Sequence, residues 1–212
     1  MSDTTPERLR QQVADAGDPW QPDNVYFQRA EARMDAQWAG LVYPFIRHCD
    51  FSDTLDLACG HGRNSTKLLG LATRLTLIDV QPGNIEICRQ RFRDHPNVTC
   101  LVGNGFGMQP IPDVSLTLIY CFDAMVHFYP EVVRSYLRDA ARVLQRGGRA
   151  FMHHSNYPQT TIWWSNPHSR NTMTHTLFAT YAEEAGLLVL QQKVLNWGSD
   201  VDLDCLSLVE KI

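Results

Sequence analysis

The sequence predicts an α/β fold, a Rossmann-like, seven-stranded, mostly parallel sheet with helices on both faces and an antiparallel pair at one edge. Three observations carry that expectation. Short apolar runs alternate with helix-like stretches along most of the 212 residues, the pattern of a parallel sheet wrapped by helices. The first central run, Thr54-Leu55-Asp56-Leu57, ends in Ala58-Cys59-Gly60-His61-Gly62, a Gly-x-Gly turn followed at once by a helix-like stretch over 65–71. The next apolar run, Leu75-Thr76-Leu77-Ile78, is closed by Asp79. That acid falls a little over ~20 residues after Asp56, the interval at which a ribose-binding carboxylate follows a glycine-rich turn. Glycines there let the backbone approach a ligand closely, so an adenosine-containing cofactor is expected at this turn.

Each element follows in order. Residues 1–24 are polar and carry Pro6, Pro19 and Pro22, which predicts a loose lead-in. Tyr26, Phe27, Ala30, Met34, Trp38 and Leu41 recur at three- and four-residue steps, the spacing of an amphipathic helix, interrupted near Pro44. That helix either covers a sheet edge or acts as a lid, with Tyr26, Phe27 or Trp38 over the ligand. The division expected is a helical cap over 1–48 and a cofactor-binding domain over 49–212.

After the glycine turn, a helix ends near Gly70 or Thr73. The Asp79 strand leads to a helix begun by Pro82-Gly83, where proline's missing N–H costs nothing. Residues 98–102 read as a third strand, stopped by Gly103-Asn104-Gly105-Phe106-Gly107. Residues 115–122 form a nearly continuous apolar run, as expected for a strand buried on both faces. A helix over 131–144 precedes Gln145-Arg146-Gly147-Gly148 and a fifth strand over 149–153. A last helix is expected over 174–185, stopped by Gly186, and two edge strands over 187–194 and 203–209. Right-handed crossovers place every loop that follows a parallel strand on one edge, where ligands bind.

Composition narrows the function classes. A formal net charge of −4 gives no broad basic footprint, which argues against nucleic acid as the main partner. Six scattered cysteines form no Cys-x-x-Cys pair and read as reduced thiols of a cytoplasmic protein. Neither a secretory leader nor an apolar run of ~20 residues able to cross a bilayer is seen.

With Asp56 to Gly62, Asp79, Gly103-Asn104-Gly105 and Leu144 to Gly148, the chain resembles the class I S-adenosylmethionine-dependent methyltransferases. The resemblance covers about residues 50–155, and the terminal edge strands more weakly. It implies that Asp56, Ala58, Cys59, Gly60, Gly62 and Arg63 belong to the turn that holds the amino acid part of S-adenosyl-L-methionine. By the same resemblance Asp79 takes both ribose hydroxyls and Val80 packs beside adenine. Asn104 stands where the family often has an aspartate facing the adenine amino group, and an amide oxygen accepts that bond as well. Gly105 and Phe106 would line the adenine pocket, and Cys121 would lie beside the methionyl group. A nicotinamide-dependent oxidoreductase is the rival for the first motif, but it wants glycine or alanine where Ser65 stands.

The methyl acceptor is read from the loops after strands four and five. Residues 122–128, paired with 153–157, resemble a methyltransferase subgroup that acts on saccharides and natural products. A hydroxyl acceptor profits from a positioned base, worth typically ~10²–10⁴-fold, and a carboxylate acceptor needs none. His127, His153 and His154 at these tips therefore favour an alcohol, with His154 or His127 as base and Asp123 orienting base or substrate. Alternation sends His153 and His154 to opposite faces, and His154 is preferred for the site. Asp123, His154 and Asn156 also suggest a divalent cation such as Mg²⁺. Tyr26, His153, Asn156, Trp163, Trp164 and Arg170 are the expected substrate contacts, whose flat faces and polar arms suit a sugar. The same Trp and Arg also suit a homodimer contact. The alternatives are carboxyl, phosphonate or amine methylation of another small metabolite, or a non-catalytic S-adenosylmethionine-binding protein.

Overall fold

The computed structural model describes residues 5–17, 20–158 and 170–212. Its sheet has seven strands: β1 (Asp53–Leu57), β2 (Arg74–Asp79), β3 (Val98–Val102), β4 (Leu116–Cys121), β5 (Leu144–Ser155), β6 (Leu187–Trp197) and β7 (Asp200–Lys211). They lie in the order β3-β2-β1-β4-β5-β7-β6. The first five are parallel, and β7 runs antiparallel between β5 and β6. The order reverses direction between β1 and β4, so their carboxyl ends flank the crevice where such sheets bind ligands.

Apolar side chains alternate between two cores, one on each face. Ile119 and Cys121 of β4 face one core with Leu55, Leu57 and Met152, while Tyr120 and Phe122 face the other with Leu75, Leu77 and Phe151. Every residue of β4 is buried, which explains its nearly continuous apolar run. Helix α7 (Pro130–Val143) covers the first face with Val132, Val133, Tyr136, Leu137, Ala140 and Val143, the recurrence that a 3.6-residue period requires. Helices α5 (Arg63–Leu69) and α6 (Pro82–Arg91) cover the second with Leu68, Ile85 and Cys88. Helix α8 (His175–Glu184) starts at Thr174, whose hydroxyl oxygen accepts from Leu177 N–H at 3.1 Å as an N-cap.

The N-terminal region differs from expectation. The lead-in contains α1 (Pro6–Gly17), which buries Leu9, Gln12 and Ala16 on one stripe. The single amphipathic helix expected next is broken into α2 (Tyr26–Glu31), α3 (Met34–Gln37), a π-helical turn over Trp38–Val42 and α4 (Tyr43–Ile46). Pro44, with no N–H to give to the preceding turn, sits in α4's first turn just after the π turn. These segments share the main cores, since Leu9 packs on one face and Val42, Phe45 and Ile46 on the other. All six cysteines are free thiols. Among the described residues no helix is long and apolar enough to cross a membrane.

Candidate functional site

The turn after β1 is held open by three residues in the left-handed region: Ala58 (φ 56°), Gly60 (φ 54°) and Gly62 (φ 76°). This conformation turns the Gly60 N–H toward β2, where it donates to Asp79 Oδ2 at 2.9 Å. Asp79 Oδ1 accepts from Gln81 N–H at 2.9 Å and from the Asn84 amide at 3.2 Å. A carboxylate accepts about four hydrogen bonds, so this one keeps capacity for a ligand hydroxyl. Burial pushes the Asp79 pKa up, against the two backbone N–H groups that favour its charge.

A pocket runs from this turn to the loop after β4. Ala58, Cys59, Gly60, His61 and Arg63 line it on one side, with Asp79, Val80, Gln81, Asn84 and Gly105 beside them. Its far end is formed by Phe122, Asp123, Ala124, His127, Phe128 and Tyr129. Gln12, Val13, Trp20, Tyr26 and Phe27 of the N-terminal region form its cover. The cover is close-fitting: a Cβ on Gly60 would lie 2.8 Å from the Phe27 ring, and one on Gly105 would lie 2.1 Å from Val13 Cγ1. Phe27 also stacks on His61, with ring centroids 3.8 Å apart.

Three buried polar atoms along this pocket, Gln12 Oε1, His61 Nε2 and Asn84 Oδ1, make no hydrogen bond of normal geometry, although His61 and Asn84 lie close enough to interact with each other. Unpartnered buried polar atoms are costly, and a ligand with hydroxyl and amine groups would satisfy them. Together with the spare capacity of Asp79, they fit an adenosyl group.

The far end is organised around Asp123, another left-handed residue (φ 62°). Its Oδ2 accepts from Arg63 Nη2 at 2.7 Å and from the Tyr26 hydroxyl. Arg63 also donates through Nη2 to Tyr26 Oη and through Nη1 to Ala30 O and Gln37 Oε1, each at 3.1 Å. It thereby ties α2 and α3 to the loop after β4. Burial works against the Arg63 charge, but the Tyr26 and Asp123 oxygens keep its pKa above the ordinary value. Burial and then Asp123 push the Tyr26 phenol upward, so it stays a hydrogen-bond donor. His127 is buried, and its ring centroid lies 4.8 Å from that of Trp20.

Several expected residues lie elsewhere. His154 is fully buried beneath α8, stacked on Phe178 at 4.1 Å. Its Nδ1 is 2.8 Å from Ser155 O and its Nε2 2.8 Å from Ser207 Oγ. A carbonyl only accepts, so the proton sits on Nδ1, and burial lowers the pKa to about 3. The preference for His154 over its neighbour thus fails on geometry: the face it points to is the one packed by α8. His153 is also fully buried, between Phe122 and Trp197, one layer behind the pocket.

Asn156 ties the end of β5 to α8, accepting from His175 N–H at 2.9 Å and donating to Asp202 O. Arg170 is bound to Asp204 by two bonds of 2.7 and 2.8 Å. Asp123, His154 and Asn156 therefore do not converge on a cation; Asp123 already faces the Arg63 guanidinium. Among the described residues no group of three or more His, Cys, Asp or Glu is arranged to hold a metal ion.

On the cofactor side, the Asn104 oxygen is occupied by its own turn, accepting from Phe106 and Gly107 N–H at 3.0 and 2.8 Å, and neither Asn104 nor Phe106 lines the pocket. Cys121 is packed in the core, and Phe122 and Asp123 face the pocket instead. Asp56 lies beneath the turn, accepting from Ser65 Oγ at 2.6 Å, with burial raising its pKa to about 7. Gly62 faces the Phe92 ring. Trp163 and Trp164 lie outside the described residues. Gln12, Val13 and Trp20 were missed because 1–24 read as loose; the spacing of Leu9, Gln12, Val13 and Ala16 was the signal available.

Comparison with known proteins follows the same lines. Residues 54–148 match the family model described as a methyltransferase domain. A demethylmenaquinone methyltransferase of Tropheryma whipplei is 27% identical over 132 residues, 61% of this chain and 52% of that protein. The chain thus spans about half the length of the curated relatives it matches. Two solved structures share the fold. Geranyl diphosphate C-methyltransferase from Streptomyces coelicolor A3(2), with Mg²⁺, geranyl diphosphate and S-adenosyl-L-homocysteine, has a TM-score of 0.69 at 14% identity over 100% of both chains. A geranyl diphosphate methyltransferase in complex with GPP and sinefungin has a TM-score of 0.71 at 12% identity, covering 95% of this chain and 100% of that one. Residues 54–148 are thus similar to a methyltransferase domain, and the sheet is the expected Rossmann-like one.

Proposed function

We propose that this chain, built on a methyltransferase domain, transfers the methyl group of S-adenosyl-L-methionine to a hydroxyl of a small molecule. The observation that carries this reading is Asp79, buried at the end of β2, bonded to the Gly60 N–H of the glycine turn and open to the pocket. The adenosyl end would be held by Asp79, Asn84 and Gln81, with Gly60 and Gly105 giving backbone approach and Val13 and Phe27 closing above. Bound S-adenosyl-L-methionine would supply a methyl group on a sulfonium, a carbon ready for nucleophilic attack.

The chain's own part is to bind, orient and exclude water, and alignment is worth more than any single proton transfer. The Asp123 carboxylate has Oδ2 committed to Arg63 and Tyr26, which leaves Oδ1 for an acceptor hydroxyl. His127 is the histidine of the three that lines the pocket, and it replaces His154 as the candidate base. Trp20, Tyr26 and His127 form flat walls at this end, with Trp20 and Tyr26 edge to face at 4.9 Å, which favours an acceptor with a flat face. The saccharide reading would rest on Trp163 and Trp164. Among the described residues, the groups beside Asp123, which faces the Arg63 guanidinium, do not fit a divalent cation. The N-terminal segment over 1–48 would serve as the cover.

Titration calorimetry with S-adenosyl-L-methionine tests the first half: saturable binding supports the reading, and no heat with no competition by S-adenosyl-L-homocysteine removes it. Mass-spectrometric screening of hydroxylated small molecules for a gain of one methylene then identifies the acceptor.

A further inference from the structure

Behind Asp123 lies a second buried network, whose His153, Asp204, Arg170 and Trp197 do not line the pocket. The Asp123 N–H donates to His153 Nδ1 at 3.2 Å. His153 Nε2 is 3.0 Å from Asp204 Oδ2, and both side chains are 0% exposed. Arg170 clamps Asp204 through Nε and Nη2 and lies over the Trp197 ring, 5.3 Å from its centroid. Phe122 and Trp197, at 4.8 and 4.9 Å, pack against the imidazole and set its plane.

The tautomer follows from these contacts. A ring nitrogen that accepts a backbone N–H carries no proton, so Nδ1 is bare and the proton sits on Nε2, donated to Asp204. Asp204 is itself fixed by Arg170, and although burial opposes its charge, His153 and Arg170 hold its pKa below the ordinary carboxylate value. Asp123, meanwhile, is a non-glycine residue at φ 62°. Such a residue persists in the left-handed region only where its surroundings hold it.

We infer that His153 is a positioning residue. Its Nδ1, made an acceptor by Asp204, holds the Asp123 peptide in the conformation that presents the Asp123 carboxylate to Tyr26, Arg63 and the methyl acceptor. This rests on the methyltransferase reading for its consequence in turnover, but the hydrogen-bond relay itself does not. Loss of the relay releases the Asp123 loop and leaves the Asp79 end untouched.

Two conservative variants separate the two halves of the imidazole. Asparagine places an oxygen where Nδ1 stands, and glutamine places an amide N–H near Nε2. His153→Asn thus keeps the acceptor for Asp123 and loses the tie to Asp204, whereas His153→Gln does the reverse. In the full chain, ¹⁵N-imidazole NMR of the unsubstituted protein is expected to show His153 protonated on Nε2 and bare on Nδ1. Exchange of the Asp123 amide with deuterium is expected to be at least tenfold faster in His153→Gln than in His153→Asn. With the acceptor found by the mass screen, kcat is expected to fall about tenfold further in His153→Gln, the size of one lost hydrogen bond. The Kd for S-adenosyl-L-methionine should stay within twofold in both. A proton on Nδ1 in the unsubstituted protein, or equal Asp123 exchange in the two variants, overturns the inference. If the variants do not fold, the imidazole spectrum alone decides it. Failure of S-adenosyl-L-methionine to bind the unsubstituted chain would strike the methyltransferase reading and leave the relay measurable by exchange.

Discussion

The Arg63 guanidinium lies 2.7 Å from the Asp123 carboxylate, with both side chains 9% exposed. The first residue follows the glycine turn and the second follows β4, so this ion pair bridges the two strands that flank the crevice. Breaking a buried pair by removing one partner leaves an uncompensated charge, at a cost of about 3–5 kcal/mol. Arg63→Met should therefore lower the unfolding free energy by roughly that amount, and Arg63→Met with Asp123→Leu should recover much of the loss. Denaturant midpoints of the two variants against the parent check this; equal losses in both would assign the cost to the Arg63 bonds with Tyr26, Ala30 and Gln37 rather than to an uncompensated Asp123 charge.

Asp79→Ala should weaken S-adenosyl-L-methionine binding by about 10- to 100-fold, the range for a lost charge-assisted hydrogen bond. Asp79→Asn should fall between, since the amide still accepts one bond but carries no charge. Calorimetric Kd values decide it, and unchanged affinity in Asp79→Ala would remove the ribose assignment.

His154 predicts a pH dependence of stability. Its folded pKa is lowered by burial to about 3, against about 6.5 in an unfolded chain. The unfolded state therefore takes up a proton first as pH falls, and stability from this residue is present above pH ~6.5 and lost progressively down to ~3. His154→Gln should flatten the acid side of the stability curve over that window, measured by urea unfolding at pH 7 and pH 4. Burial of Asp56 acts in the opposite sense. Its folded pKa is raised to about 7, so its contribution falls as pH rises between about 4 and 7. Comparing Asp56→Asn with the parent isolates that slope.

Tyr26→Phe removes the phenolic donor to Asp123 and leaves the ring. Stability should fall by about 0.5–1.5 kcal/mol, while turnover falls further than S-adenosyl-L-methionine affinity, because the lost bond lies at the acceptor end. A kcat and Kd measured on the same preparation separate the two; a pure loss of cofactor affinity would place Tyr26 at the other end.

Much of this architecture was legible because backbone chemistry dictated it. The Gly-x-Gly turn needs positive φ at Gly60 and Gly62, and the nearly continuous apolar run 115–122 reads as a strand covered on both faces. Asp79 was legible from its interval after the turn. What failed depended on which neighbour a side chain meets. Alternation told that His153 and His154 diverge, but not that α8 would seal off His154 or that Asp204, 51 residues further along the chain, would claim His153. Asn104 was read by its position, yet an asparagine before glycine satisfies its own turn first. Helix α1 escaped because its polar, proline-flanked sequence looks like coil until Leu9 meets the core beside α7. The N-terminal helix, expected to be interrupted near Pro44, is also broken at Ala32-Arg33, between α2 and α3.

The two halves of the cover are gripped unequally. Helix α2 is bolted down through Arg63, whose tie to Ala30 is buried and whose tie to Tyr26 is half-buried. Helix α1 holds on by Gln12 and Arg8 to Glu131 and by Gly17 to Gln81, contacts nearer to water. A ligand leaving the crevice would then meet fewer buried ties beneath α1 than beneath α2.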